Sequence, residues 1–213
     1  EMTASFRPAG HAEFSASSRY LLVTKKPELE TVEALKLKKV KDEEMPADEL
    51  VIFNLPDKKE SIDSLKSYKL SETADWIAYK RSSKSDSVLH VRSLDGAKEV
   101  LLADVKEFGF AKKGNILYYT TDSTLSTFTP DKGSSLIFEG KGVIKKVTFD
   151  EAGSKIAFLH SPDKDSIGTQ CSLYLSENNA SARLVADRKQ TFIPDGWVIS
   201  ENGDLRFSKN AER

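Results

Sequence analysis

A bulky apolar residue, a short polar stretch and then a dense apolar run recur along this chain. Phe14-Ser15 leads to Arg19-Tyr20-Leu21-Leu22-Val23-Thr24, and Leu70-Ser71 to Trp76-Ile77-Ala78-Tyr79. Phe110 leads to Asn115-Ile116-Leu117-Tyr118-Tyr119, and Phe149 to Lys155-Ile156-Ala157-Phe158-Leu159. A fifth copy opens at Phe207-Ser208-Lys209-Asn210 and meets the end of the sequence at Arg213. The five anchors lie 56, 40, 39 and 58 residues apart. Short apolar runs rich in β-branched and aromatic residues, bounded by turn formers, read as strands.

The pattern divides the chain into units of roughly 13–67, 68–105, 106–140 and 141–188, with a partial fifth over 189–213. Strands are expected at 19–25, 49–55 and 62–68 in the first unit, and at 76–81, 88–93 and 99–103 in the second. The third should hold strands at 115–121, 124–128 and 135–138, and the fourth at 155–159, 172–175 and 182–185. Trp197-Val198-Ile199-Ser200 reads as one more strand. Asp95-Gly96, Lys113-Gly114, Asp131-Lys132-Gly133, Glu177-Asn178-Asn179 and Glu201-Asn202-Gly203-Asp204 mark turns. One segment breaks the β pattern. Pro27 suits a first helical position, acidic residues follow at Glu28 and Glu30, and Lys36, Lys38, Lys39 and Lys41 suit the far end. A helix is expected over 28–41, ending before Pro46 and projecting as an arm.

A strand repeat of about 40–50 residues is the signature of a β-propeller, one blade per repeat. A four-stranded blade has two apolar faces and cannot cover them alone, so stacking buries both. The expected fold class is all-β: a partial β-propeller of about four blades with incomplete flanking strands and one helical insert near residues 28–41. Trp76, Tyr118 and Phe158 are expected to be buried between blades. The repeat count implies a piece of a longer protein, an open arc whose end blades each leave an apolar face uncovered. Such faces and unpaired edges favour self-association. An outer strand at Ser5-Phe6-Arg7 would belong to a preceding blade. The rival arrangement is a five-bladed ring in which residues 1–13 complete the blade of 192–209.

Composition narrows the function classes. Lys plus Arg number 32 against 33 Asp plus Glu in 213 residues, a net charge of −1, which argues against a nucleic-acid footprint. No apolar run approaches the ~20 residues of a membrane helix. The opening Glu1-Met2-Thr3-Ala4 has no signal-peptide pattern. The single cysteine, Cys171, has no internal partner for a disulfide and reads as a small buried residue.

The chemistry of a site is missing from the sequence. Catalysis by a serine hydrolase of the α/β type needs Gly-x-Ser-x-Gly followed by Asp and His. No such elbow exists; Ser134 and Ser135 follow Gly133 in what reads as a turn, without the second glycine. His11, His90 and His160 are scattered and read as structural or surface residues, so no metal site follows from them. Asp163-Lys164-Asp165 resembles part of a cation loop, but lacks the glycine and the closing Glu. The lysines at 36–41 are flanked by Glu28, Glu30, Glu33 and Asp42–Glu44 and read as a solvated face. No catalytic, cofactor-binding or metal-binding residue is assigned, and no cofactor is implied.

The anchor phrase resembles the Ser-Pro-Asp-Gly-Lys-apolar repeat of two propeller groups. One is the N-terminal propeller of the prolyl oligopeptidase family of serine peptidases; the other is TolB-type propellers. Here it is degenerate, as Ser-Ala-Ser-Ser-Arg at 15–19, Ala-Lys-Lys-Gly-Asn at 111–115 and Asp-Glu-Ala-Gly-Ser-Lys at 150–155. The insert Lys26-Pro27-Glu28-Leu29-Glu30, running through Lys38–Pro46 to Asp48-Glu49-Leu50, looks like that of a bacterial subgroup of dipeptidyl or acylaminoacyl peptidases. Gly196–Gly203 ahead of Leu205-Arg206-Phe207-Ser208 points the same way. The resemblance implies a non-catalytic propeller that gates peptide access to an α/β-hydrolase domain of the same parent chain, with its inserts touching substrate or another subunit. It slightly favours a periplasmic or secreted location, which the residues themselves do not specify. The alternative is a TolB-like propeller that docks proteins and has no peptidase partner domain.

Overall fold

The computed structural model describes residues 8–41, 44–54, 58–82, 87–162, 171–189, 193–194 and 196–211. The expected strand at Ser5-Phe6-Arg7 and the Asp163-Lys164-Asp165 loop lie outside the described residues, as does the residue whose pairing separates arc from ring. The chain forms two compact units, Glu1–Ala103 and Asp104–Arg213.

The first unit is one antiparallel sheet of seven strands in sequence order: β1 (Ala9–Phe14), β2 (Tyr20–Lys25), β3 (Asp48–Asn54), β4 (Lys58–Leu70), β5 (Trp76–Arg81), β6 (Leu89–Ser93) and β7 (Glu99–Leu102). β4 has 13 residues because it serves two meanders. It pairs with β3 from Asn54↔Lys58 to Leu50↔Ile62 and, after a bulge, at Asp48↔Leu65, and with β5 from Leu65↔Arg81 to Leu70↔Ile77. Ser64, at φ 57°, marks its bend. The expected boundary at 67/68 falls inside this strand.

Alternation along β2 and β3 decides what the unit buries. Tyr20, Leu22, Leu50 and Ile52 join Ile62, Leu65, Ile77, Tyr79 and Leu94 in one core. Val23, Val51 and Phe53 point to the other face and form a second cluster with Leu21. Burial on both faces is what central strands of stacked sheets require, and it explains their near-continuous apolar runs.

Between β2 and β3 lies α1 (Leu29–Leu37), shorter at both ends than the 28–41 expected. Lys39 takes a left-handed conformation at φ 54°, and the Val40 N–H donates to the Leu35 carbonyl at 3.2 Å. This six-to-one closure ends the helix well before Pro46, with a lysine where glycine is usual. No residue of α1 is buried, and Leu37 is 85 % exposed.

The second unit holds two four-stranded antiparallel sheets. One contains β8 (Phe108–Phe110), β9 (Leu117–Thr120), β10 (Thr124–Thr129) and β11 (Gly133–Glu139). The other contains β12 (Val143–Phe149), β13 (Lys155–Ser161), β14 (Ser172–Glu177) and β15 (Arg183–Ala186). Leu125 and Ile137 of the first sheet pack with Ile144, Ile156 and Phe158 of the second. Asn178 and Asn179, at φ 54° and 60°, supply the mirror-image turn that a two-residue hairpin favours. Ser134 and Ser135 sit within β11, not in a turn. Trp197–Ser200 is not a strand; among the described residues its one ladder contact is the bridge of Ile199 to Cys171. Phe158 is fully buried as expected, whereas Trp76 and Tyr118 are only half-buried.

The anchor phrase has one structural meaning. Each of the first four anchors ends a strand, and the next residue closes a tight turn onto the following strand. The N–H groups of Ser15, Ser71, Ala111 and Asp150 donate to the carbonyls of Tyr20, Trp76, Ile116 and Lys155 at 2.9, 3.0, 2.8 and 3.0 Å. All four donors' residues are buried. Ser18, Gly114 and Gly153 follow three residues on with left-handed backbones. The fifth copy matches in part: the Ala211 N–H donates to the Ser208 carbonyl at 2.8 Å, with Ala211 at φ 53°. The Ser18 N–H meets the Ser15 carbonyl in the same way.

Candidate functional site

The polar residues that drew attention in the sequence are held apart by the fold, each in its own packing. His90 stacks on Tyr79 at 4.8 Å, with Nδ1 3.0 Å from Glu99. His160 lies against Phe138, its Nε2 2.9 Å from the Lys141 carbonyl. His11 is 3.8 Å from Glu13. The Ser135 hydroxyl is 3.5 Å from the Asn179 carbonyl it donates to. Among the described residues no group of three His, Cys, Asp or Glu side chains could hold a metal ion. Cys171 is buried, and that burial pushes its thiol up, away from the reactive thiolate.

Two polar networks escaped the sequence reading. In the first unit Arg92 on β6 donates a two-pronged pair of hydrogen bonds to Glu60 on β4, at 2.7 and 2.6 Å. The Arg92 side chain is 11 % exposed and its Nε has no partner among the described residues. The second network joins the first two anchor turns: Asp75 accepts from the Ser17 hydroxyl at 2.6 Å and from the Ser17 N–H at 3.2 Å. Burial alone would raise the Asp75 carboxyl, but these bonds outweigh it and hold it low. The signal for either network lies in cross-strand register, which single-strand patterns do not carry.

The Arg92 bonds outweigh burial at Glu60 and hold its carboxyl below the ordinary value of 4.5. A carboxyl lowered by folding contributes stability above its unfolded value and loses it as pH falls through the lowered one. Glu60→Gln is therefore expected to flatten the acid limb of stability below about pH 4.5, and to cost about 1 kcal/mol at neutral pH. Urea midpoints of both proteins across that range check it; parallel acid limbs would refute it.

In the second unit the anchors of three repeats meet around one recess. Phe110, Phe149 and Phe207 line it with Tyr118 and Val147, enclosing a volume of about 510 Å³. Tyr118 lies across from Gly109 in the β8–β9 ladder, where a Cβ on that glycine would come within 2.8 Å of the ring. The Tyr118 and Phe149 rings are 5.9 Å apart and tilted by 54°. Burial holds the Tyr118 phenol above its usual range, so at neutral pH it is an O–H donor. Lys112, Arg206 and Lys209 stand exposed at the rim with Glu151, while Asp150 lines the recess from a buried position.

No protein-family model matches the chain, and no curated protein does. Solved structures do. The β-propeller domain of the trilobed protease from Pyrococcus furiosus matches at 13 % identity with a TM-score of 0.52, covering 87 % of this chain and 59 % of that one. Tricorn protease matches at 9 % identity and a TM-score of 0.51, covering 84 % of this chain and 17 % of that one. Uncomplexed acylaminoacyl peptidase from Pyrococcus horikoshii gives 12 % identity and a TM-score of 0.49 over 84 % of this chain and 32 % of its own. The four-stranded meanders are thus blades of a partial β-propeller, the fold expected from the anchor repeat. The chain spans under two thirds of each of these proteins.

Proposed function

We propose that this chain is the non-catalytic propeller of a serine peptidase resembling the prolyl oligopeptidase family, with blades near 13–67, 68–105, 106–140 and 141–188. It gates peptide access to an α/β-hydrolase domain encoded outside these 213 residues. The observation that carries this reading is the anchor turn. The same five-residue closure in four repeats is the physical form of the phrase on which the resemblance rests. The shared propeller fold of two proteins named as proteases supports it. In this reading α1 is the arm that reaches substrate or a second subunit, since it presents Leu29 and Leu37 to solvent. Uncovered blade faces promote self-association; the resemblance slightly favours a periplasmic or secreted compartment, which the residues themselves do not specify.

The isolated chain should turn over neither fluorogenic dipeptide nor acyl-amino-acid substrates. The coding sequence beyond Arg213 should show Gly-x-Ser-x-Gly followed by Asp and His. Turnover by the isolated chain that is lost in Ser135→Ala overturns the proposal. A stop codon or an unrelated domain after Arg213 also overturns it, and favours a TolB-like docking propeller.

A further inference from the structure

The recess at the three anchors has more positive charge than its own residues neutralise. Asp150 is fully engaged within its turn: Oδ1 accepts the Lys155 N–H at 2.7 Å and Oδ2 the Ser154 hydroxyl at 3.0 Å. Glu151 lies 3.6 Å from Lys113, on the neighbouring turn. Among the described residues no carboxylate lies within ion-pair distance of Lys112, Arg206 or Lys209. The walls are of opposite character, three phenylalanines and a tyrosine.

We infer that this recess binds the C-terminal end of a peptide whose last residue is aromatic. The volume is in the range of about 300–1,000 Å³ typical of small-ligand sites. Tilted phenylalanine and tyrosine rings suit the edge of a further aromatic ring, because ring edges are positive and faces negative. The free α-carboxylate lies beside Arg206, whose planar fork fits a carboxylate with two hydrogen bonds. Lys112 and Lys209 add point charge, and the neutral Tyr118 hydroxyl supplies a donor. Glu151 at the rim and the buried Asp150 behind it disfavour a ligand with several negative charges. This site goes beyond the gating role and needs no hydrolase partner.

The test is fluorescence anisotropy of a fluorescein-labelled pentapeptide ending Gly-Gly-Phe, as free acid and as C-terminal amide. The acid should bind saturably, and the amide about tenfold or more weaker, the loss expected for charge-assisted hydrogen bonds. Binding should weaken with added salt, since the rim is exposed. The double variant Lys112→Gln/Arg206→Gln should lose about tenfold or more with an unchanged thermal midpoint, because both side chains are at the surface. Equal binding of acid and amide, absence of saturable binding, or a double variant that binds as the parent does would each overturn the assignment. So would AMP displacing the labelled peptide more effectively than the unlabelled acid, which would give the recess to nucleotides.

Discussion

Replacing Phe158 by alanine is expected to lower stability by about 3–5 kcal/mol, read from urea unfolding with an unchanged slope. Phe158 is 0 % exposed at the centre of the second unit's core. It meets Phe138 edge-on at 5.2 Å and stacks on Tyr174 at 5.4 Å. Truncation removes the apolar transfer energy of the ring and leaves a cavity walled by two other rings that cannot collapse without losing their own contacts. Phe158→Leu, which keeps most of the volume, should cost about 1–1.5 kcal/mol. A loss below about 1 kcal/mol for the alanine variant would show that the sheets do not close over this position.

Gly142→Ala should be comparably severe, at about 3 kcal/mol or more. Gly142 leads into β12 at φ 126°, and a Cβ there would sit 2.0 Å from the Ser161 carbonyl oxygen and 2.8 Å from the Pro162 Cα. Both are backbone atoms, held by the Val143↔Ser161 pairing, so relief requires opening that end of the β12–β13 ladder. Gly96→Ala separates clash from conformation. Gly96 also has a left-handed backbone, φ 75°, but nothing lies within 4 Å of its Cβ position. It should cost only about 1–2 kcal/mol, the left-handed penalty alone. Equal losses in the two variants would mean that the contact at Gly142 relaxes freely.

The apolar pattern of the sequence announces the central strands and most of their partners, but not the strands that lead into three of the anchors. β2, β5, β9 and β13 are flanked on both sides, so their apolar runs are long and follow directly on the anchors. Of the four strands that anchors end, only β4 is covered by an expected strand, 62–68; β1, β8 and β12 are not. β1 is Ala-Gly-His-Ala-Glu-Phe and largely exposed, β8 has three residues, and β12 carries Lys145 and Lys146. Trp197-Val198-Ile199 misled because an apolar run needs a partner to become a strand, and Trp197 remains 69 % exposed. The helix end was misplaced because Lys39 adopts a backbone that its residue type does not announce. The recess was illegible for a different reason. Each of Phe110, Phe149 and Phe207 is an anchor in the sequence pattern, but their convergence is a property of three turns packed together.

The bend in β4 also sets where this protein can be recombined. Propellers diversify by gaining, losing and exchanging blades, which requires a seam that leaves every strand whole. Between the first and second meanders no such seam exists, because Leu65 is the last residue paired toward β3 and the first paired toward β5. A crossover there leaves half a strand in each parent, and the orphaned half has no ladder of its own. The stretches between Leu102 and Phe108, and between Glu139 and Val143, cut no strand. A recombination that keeps every strand whole would therefore move the first two meanders together, whereas a cut between Glu139 and Val143 spares every strand but divides the core that the last two sheets share.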